Sequence, residues 1–308
     1  MRLLFAGTPE VAVASLRAML ASDHEVVAVL TRPDAPVGRG RRISRSPVAL
    51  VADEAGIPVL QPRSLRDPEA ADLISQWAPD LCPVVAYGNL IPARLLSVPP
   101  QGWVNLHFSL LPAWRGAAPV QHAVWHGDDL TGATTFRLDR GMDTGPVFGT
   151  VVEPIGPRDT SGEVLIRLAE AGAGLLRATI DGIAAGELVA VPQPADGASL
   201  APKIEVADAQ VDWSAPDLAV DRQIRACTPA PGAWTTFRGD RVKLQPVRRA
   251  AGAPEVAPGQ LLPHEGQWLV GTGTRGVLLD QVQPAGKRAM PAADWLRGVR
   301  PAPDERFE

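Results

Sequence analysis

The chain has 308 residues and a formal net charge of −4, from 30 basic and 34 acidic side chains. Hydrophobic residues make up 45% and charged residues 21%, enough apolar material for a sizeable core, which excludes wholesale disorder. At about 100–200 residues per domain, the length suits two domains. Residues 2–6 are a short apolar run ending at Gly7 and predict a first strand. Residues 11–20 carry apolar side chains at helical spacing after Pro9, a proline suited to a first turn. A second strand is expected at 26–30, a helix at 47–55, a short strand at 57–60 and a helix at 67–77. Further strands are expected at 81–86 and 103–107, a helix at 117–126, then strands at 134–138 and 147–152. A long helix over 160–184 opens on Thr160-Ser-Gly-Glu163, a capping pattern. This alternation of apolar strands and helices predicts an α/β fold, a doubly wound, mainly parallel sheet covered on both faces.

The character changes after Glu187. Residues 190–203 are rich in Pro, Ala, Gly and Ser and read as a linker. Beyond it, short runs at 241–245, 268–270 and 276–280 are separated by turn residues and predict a small β-barrel or sandwich. The expected division is a catalytic domain over 1–189, the linker over 190–203 and a second domain over 204–308. No run of about 18 apolar residues occurs, so no membrane span is expected. The N-terminal segment has neither the apolar length nor the cleavage site of a secretory leader. The cysteines, Cys82 and Cys227, form no CxxC unit and read as reduced thiols of a cytoplasmic protein.

Two basic clusters stand out. Arg32, Arg39, Arg41, Arg42 and Arg45 share a Gly/Pro loop with one acid, Asp34. Arg222, Arg225, Arg238, Arg241, Lys243, Arg248 and Arg249 have only Asp240 among them. Basic clusters on an acidic chain point to a polyanion held at chosen places.

The turn Phe5-Ala-Gly-Thr-Pro-Glu10 has one glycine where a dinucleotide fingerprint needs three, and no phosphate-binding GxxxxGK[ST] loop exists. His122 and His126 have the i, i+4 spacing of metal ligands, but no Glu follows His122 and no third ligand is evident, so helix-surface histidines and no metal are expected. Asn105 and His107 alternate at the end of an apolar strand, so both face one side, where an α/β sheet borders its ligand crevice. Asp143 follows another strand and can reach the same crevice. An Asn, a His and an Asp suit attack by an amine on a carbonyl. The imidazole takes the amine proton, the amide donates to the oxyanion, and the carboxylate orients the ring and favours its charged form. From residue types alone, the same positions also read as a polar strand end closed by turn residues.

The strings Phe5-Ala-Gly-Thr-Pro9, Val84-Val-Ala-Tyr-Gly88, Asn105-Leu-His-Phe-Ser-Leu-Leu-Pro112, Trp114-Arg-Gly-Ala-Ala-Pro119 and Met142-Asp-Thr-Gly145 resemble the methionyl-tRNA formyltransferase family. So do Pro33-Asp-Ala-Pro-Val-Gly-Arg-Gly40, Ile224-Arg-Ala-Cys-Thr-Pro-Ala-Pro-Gly-Ala-Trp234 and Gln283-Pro-Ala-Gly-Lys-Arg-Ala-Met290, in the family's order from residue 2 to about 300. The resemblance implies a Rossmann-like formyltransferase domain followed by an OB-like, tRNA-binding barrel. It implies transfer of a formyl group from 10-formyltetrahydrofolate to the α-amino group of methionyl initiator tRNA, with no metal. By motif position, Asn105, His107 and Asp143 correspond to the catalytic trio, and Ser109, Leu110, Leu111 and Pro112 to the folate-contacting segment. The loops 87–92 and 138–142 would line the pterin pocket. Arg39, Arg41 and Arg42 would meet the acceptor end of the tRNA, and the second basic cluster its phosphates further along.

Two residues depart from the family pattern: Phe108 stands where Gly is usual, and Asn89 where an apolar residue is common. Alternatives to this reading are a folate-dependent formyltransferase acting on a small amine such as an amino sugar nucleotide, a 10-formyltetrahydrofolate hydrolase, and a non-catalytic tRNA-binding module. The small-substrate enzymes leave the five-arginine loop and the C-terminal half without a task, and the binding module leaves the trio without one.

Overall fold

Strands that are apolar on both faces must be covered on both sides, and the first half of the chain satisfies this with helices between paired strands. The computed structural model describes residues 1–37, 42–250 and 252–308, with the backbone alone at Val37 and Arg42. In chain order its elements are β1 (Arg2–Gly7), α1 (Val13–Leu20), β2 (Glu25–Leu30), β3 (Ala35–Val37), β4 (Arg42–Ser44), α2 (Pro47–Glu54), β5 (Val59–Leu60) and α3 (Ala70–Ser75). They continue with β6 (Cys82–Val85), β7 (Trp103–His107), β8 (Arg115–Gly116), α4 (Pro119–His126), β9 (Leu130–Arg137), β10 (Val147–Pro154), α5 (Ser161–Ala185) and β11 (Leu200–Ala201). Two helices open as their sequences dictate. The Ser46 hydroxyl accepts the Ala49 N–H at 3.0 Å ahead of Pro47, capping α2. Thr160 and Glu163 close a reciprocal box before α5: Glu163 Oε2 accepts the Thr160 N–H at 2.9 Å, and Thr160 Oγ1 accepts the Glu163 N–H at 3.3 Å.

The chain falls into two units. One comprises Met1–Gly116, Thr131–Pro154 and Leu165–Ala201; the other comprises Ala117–Leu130, Ile155–Val164 and Pro202–Glu308. The first holds a seven-stranded sheet in the order β10-β9-β7-β6-β1-β2-β5. The pairs β1–β2, β2–β5, β1–β6 and β6–β7 are parallel, and β7–β9 is antiparallel. The chain winds outward from β1 to β5, then returns to β6 and β7 on the other side. The winding therefore reverses between β1 and β6, where an α/β sheet opens its crevice at the carboxyl ends of the strands. This is the expected doubly wound, mainly parallel architecture. Leu4, Ala6, Ala28, Leu30, Leu65, Ile74 and Trp103 fill one face of it.

The second unit contains α4 and continues as α6 (Asp217–Ala226), β12 (Trp234–Phe237), β13 (Asp240–Leu244), β14 (Arg248–Arg249), β15 (Leu261–His264), β16 (Gln267–Val270), β17 (Val277–Leu279), β18 (Gln281–Pro284), β19 (Met290–Pro291) and α7 (Ala292–Val299). Two four-stranded sheets form, β12-β13-β18-β19 and β14-β17-β16-β15, with antiparallel pairing throughout. The runs expected as strands at 241–245, 268–270 and 276–280 are β13, β16 and β17. An aromatic group closes the core: Phe307 stacks on Trp213 at 5.6 Å and on Trp295 at 6.1 Å, and meets Phe237 edge-on at 6.0 Å. Among the described residues, no helix is long and apolar enough to cross a membrane.

Candidate active site

The crevice side of the first unit is built around the end of β7. Asn105 pairs with Val84 of β6 and Phe136 of β9, and His107 with Thr134 of β9. Period two sets both side chains on one face, as the sequence predicts. Asn105 is half-buried, and among the described residues no hydrogen bond engages its side-chain amide. His107 is only 6% exposed.

Beyond β7 the chain turns through 108–114 under control of Thr134. Its hydroxyl donates to the Ser109 carbonyl at 2.6 Å and accepts the Leu111 N–H at 3.2 Å. The turn presents the Trp114 carbonyl to His107 Nε2 at 2.8 Å. A carbonyl only accepts, so Nε2 carries the hydrogen and the lone pair of the neutral ring lies on Nδ1. Nδ1 faces Asp143 Oδ2 at 3.7 Å. Asp143 adopts the left-handed conformation, with φ 53°, and its Oδ2 accepts the Gly116 N–H at 2.8 Å. Gly116 itself needs to be glycine: its φ is +129°, and a Cβ there would stand 2.6 Å from the Ala201 carbonyl oxygen.

Burial lowers the His107 pKa below the ordinary imidazole value, against the opposing pull of the Asp143 charge and the Trp114 carbonyl. The carboxylate acts in the direction expected from sequence, but the loss of water around the ring outweighs it. The result is a neutral imidazole at neutral pH with a free lone pair, as a general base requires.

The segment expected to meet folate is placed unevenly. Ser109 is fully buried and its hydroxyl donates to the Ala113 carbonyl at 2.6 Å, so it shapes the turn. Leu111 is buried, Leu110 and Pro112 are half-buried, and Leu110 packs over Gly132 of β9. Phe108, the departure from the family pattern, is buried. Tyr87 is buried where the winding reverses, its carbonyl accepting the Thr8 hydroxyl at 2.8 Å and its phenol pushed up in pKa by burial; Asn89 beside it is half-buried. In the loop after β9, Asp139 Oδ1 accepts the Gly141 N–H at 2.9 Å and the Thr144 hydroxyl at 2.8 Å.

Of the residues assigned to tRNA, Arg39 and Arg41 lie outside the described residues, as does the Arg42 side chain. Arg32 is exposed, and Arg45 donates to Asp53 at 2.8 Å. The second basic cluster divides. Arg225 is buried against Asp221 at 2.9 Å, Arg238 is held by Glu305 at 2.6 Å, and Arg249 by Asp217 at 2.7 Å. Arg241, Lys243 and Arg248 are exposed, with the Arg241 guanidinium 3.9 Å from the centre of the Trp234 ring. His122 Nε2 donates to the Pro202 carbonyl at 2.9 Å and His126 Nδ1 to the His122 carbonyl at 2.8 Å. Both cysteines are buried free thiols, Cys227 pushed up to about 12 by burial. Trp114 and Gly116 were legible only as parts of a motif; their backbone roles toward His107 and Asp143 have no local signal.

A half-buried amide stands at the carboxyl end of a mainly parallel sheet with a neutral imidazole and a carboxylate 3.7 Å apart, a set of groups that can serve acyl transfer. Residues 1–180 match the formyl transferase family and residues 203–300 the formyl transferase C-terminal domain, and the chain belongs to the formyl transferases. Its branch is that of the methionyl-tRNA formyltransferases: it is 64% identical over 307 residues to the one from Thermobifida fusca (strain YX), covering 100% of this chain and 99% of that one. Solved structures share the fold. HypX from Aquifex aeolicus, in complex with tetrahydrofolic acid, matches with a TM-score of 0.62 at 17% identity, over 96% of this chain and 46% of that one. An N-formyltransferase from Helicobacter canadensis, solved with folinic acid and dTDP-3-aminofucose, matches with a TM-score of 0.66 at 17% identity, over 92% of this chain and 98% of that one.

Proposed function

We propose that this chain transfers the formyl group of 10-formyltetrahydrofolate to the α-amino group of methionyl initiator tRNA, and that Asn105, His107 and Asp143 carry the chemistry. The observation that carries the assignment of roles is the fixed tautomer of a buried His107. With Nε2–H committed to the Trp114 carbonyl, Nδ1 is the atom that accepts a proton. The amine forms a bond to the formyl carbon and gives its proton to Nδ1; the bond from that carbon to N10 breaks, and N10 takes a proton. Asn105, whose amide has no hydrogen bond among the described residues, donates to the oxyanion that develops between these events. Asp143 stabilises the imidazolium across 3.7 Å. None of these steps needs a covalent enzyme intermediate.

Arg39, Arg41 and Arg42 meet the acceptor end of the tRNA, and Arg241, Lys243 and Arg248 contact its phosphates, which sets affinity without reading bases. A cytoplasmic location follows from such a substrate. The test is formylation of charged methionyl initiator tRNA by 10-formyltetrahydrofolate in the presence of a chelator, beside uncharged tRNA, free methionine and an amino sugar nucleotide. Formylation of the charged tRNA alone is expected. Transfer to the amino sugar nucleotide with none to the tRNA would overturn the reading.

A further inference from the structure

The segment that reads as a linker lies along the first unit and reaches the site. Val147 and Val191 exchange two backbone hydrogen bonds, at 2.7 and 2.8 Å. Eight residues on, the Ser199 carbonyl accepts the Arg115 N–H at 2.8 Å, its hydroxyl accepts the Trp114 N–H at 2.9 Å, and β11 pairs with β8. Between these anchors stands Gln193. Its Nε2 donates to the Asp143 carbonyl at 2.8 Å and to the Gly145 carbonyl at 2.9 Å. Its Oε1 accepts from Arg115 Nε at 3.2 Å and Nη2 at 2.6 Å. Both amide hydrogens and both oxygen lone pairs are thus used, a pattern that only a carboxamide supplies.

We infer that Gln193 is a positioning residue that holds the Asp143 loop in register with the His107 ring; this rests on the functional reading above. Asp143 has φ 53°, a conformation that residues with a Cβ seldom adopt, and the Gln193 amide clamps its own carbonyl and that of Gly145 two residues on. The same side chain fixes Arg115, which stands between Trp114, whose carbonyl orients the ring, and Gly116, whose N–H holds the carboxylate. One amide therefore ties together the two peptide segments that set the distance from Nδ1 to the carboxylate.

The test is Gln193→Ala and Gln193→Glu in the full chain, with turnover on methionyl-tRNA, folate affinity, thermal melting and the His107 titration followed by NMR. Gln193→Glu keeps oxygens for Arg115 but has no N–H for the two carbonyls. Both variants are expected to lose about 10- to 100-fold in kcat, the scale of a misplacement of roughly 1 Å, with folate affinity kept. In Gln193→Ala the His107 titration is expected to move further down as the Asp143 charge recedes, whereas the carboxylate added in Gln193→Glu opposes that shift. Wild-type turnover in Gln193→Glu would overturn the proposal by assigning the role to Arg115 alone. Lost turnover in Gln193→Ala with an unmoved titration would overturn it too, as a general structural effect. If the alanine variant does not fold, Gln193→Met, of similar length and without charge or N–H, carries the test. The titration needs no substrate, so it reads the positioning separately from the identity of the acceptor.

Discussion

His107 Nδ1 and Asp143 Oδ2 stand 3.7 Å apart, past hydrogen-bond length, while the carboxylate spends its hydrogen bond on the Gly116 N–H. The pair interacts through charge and leaves the lone pair of the ring open to an incoming proton.

Replacing His107 or Asp143 with Ala should lower turnover by about two to four decades, as for loss of acid–base function. Asn105→Ala should cost about two to three decades, as for a lost oxyanion donor. Single-turnover formylation checks all three, and near-normal rates in any one would remove that residue from its role.

The lowered pKa of His107 sets two pH dependences. The unfolded chain binds a proton at about pH 6.5, where the folded ring still does not, so stability falls as pH drops below that value. Urea unfolding of His107→Gln should show a shallower acid loss than wild type. In the folded enzyme the NMR titration of His107 should lie below the ordinary imidazole range and drop further in Asp143→Asn, which removes the charge that raises it. A rise in Asp143→Asn would contradict the charge coupling.

Arg39→Ala and Arg41→Ala should weaken tRNA use and flatten the salt dependence of binding, each by about one phosphate contact, with folate affinity unchanged. Filter binding across salt concentrations reads the slope, and an unaltered slope would end the loop assignment.

Arg225→Met should destabilise the fold by about 3–5 kcal/mol, since it leaves Asp221 as a buried charge without its partner. Urea unfolding measures this. Exposed Arg248→Ala should instead leave stability near wild type and lower tRNA affinity.

Gly116→Ala should cost about 1–3 kcal/mol from backbone strain alone. The Cβ also presses on the Ala201 carbonyl, so turnover should fall along with stability. A variant with wild-type melting and wild-type rate would mean that β8 and β11 separate without consequence.

Local signals carried far in this sequence. Asn105 and His107 were legible because a strand alternates faces and the apolar run 103–107 announces one. The opening of α5 was legible because its capping pattern lies within four residues. What failed to show depends on partners distant along the chain. Arg238 and Arg249 look like members of one basic cluster, and only folding brings Glu305 and Asp217, 67 and 32 residues away, to them. Gln193 is hidden in the same way, since proline-rich surroundings announce a connector and its partners lie 50 and 78 residues back.

The path from Gln193 to Ser199 also sets where this chain tolerates changes of length. Residues 194–198 are exposed, and Gly197 turns with φ 81°. Insertions there lengthen an exposed bend and leave both anchors in place. A deletion between Val191 and Gln193 instead slides the chain by one, and the residue that arrives opposite the Asp143 loop is Pro194, which has no N–H and no amide to offer. Divergence in length should therefore collect at that bend, while the spacing from Val191 to Gln193 stays fixed.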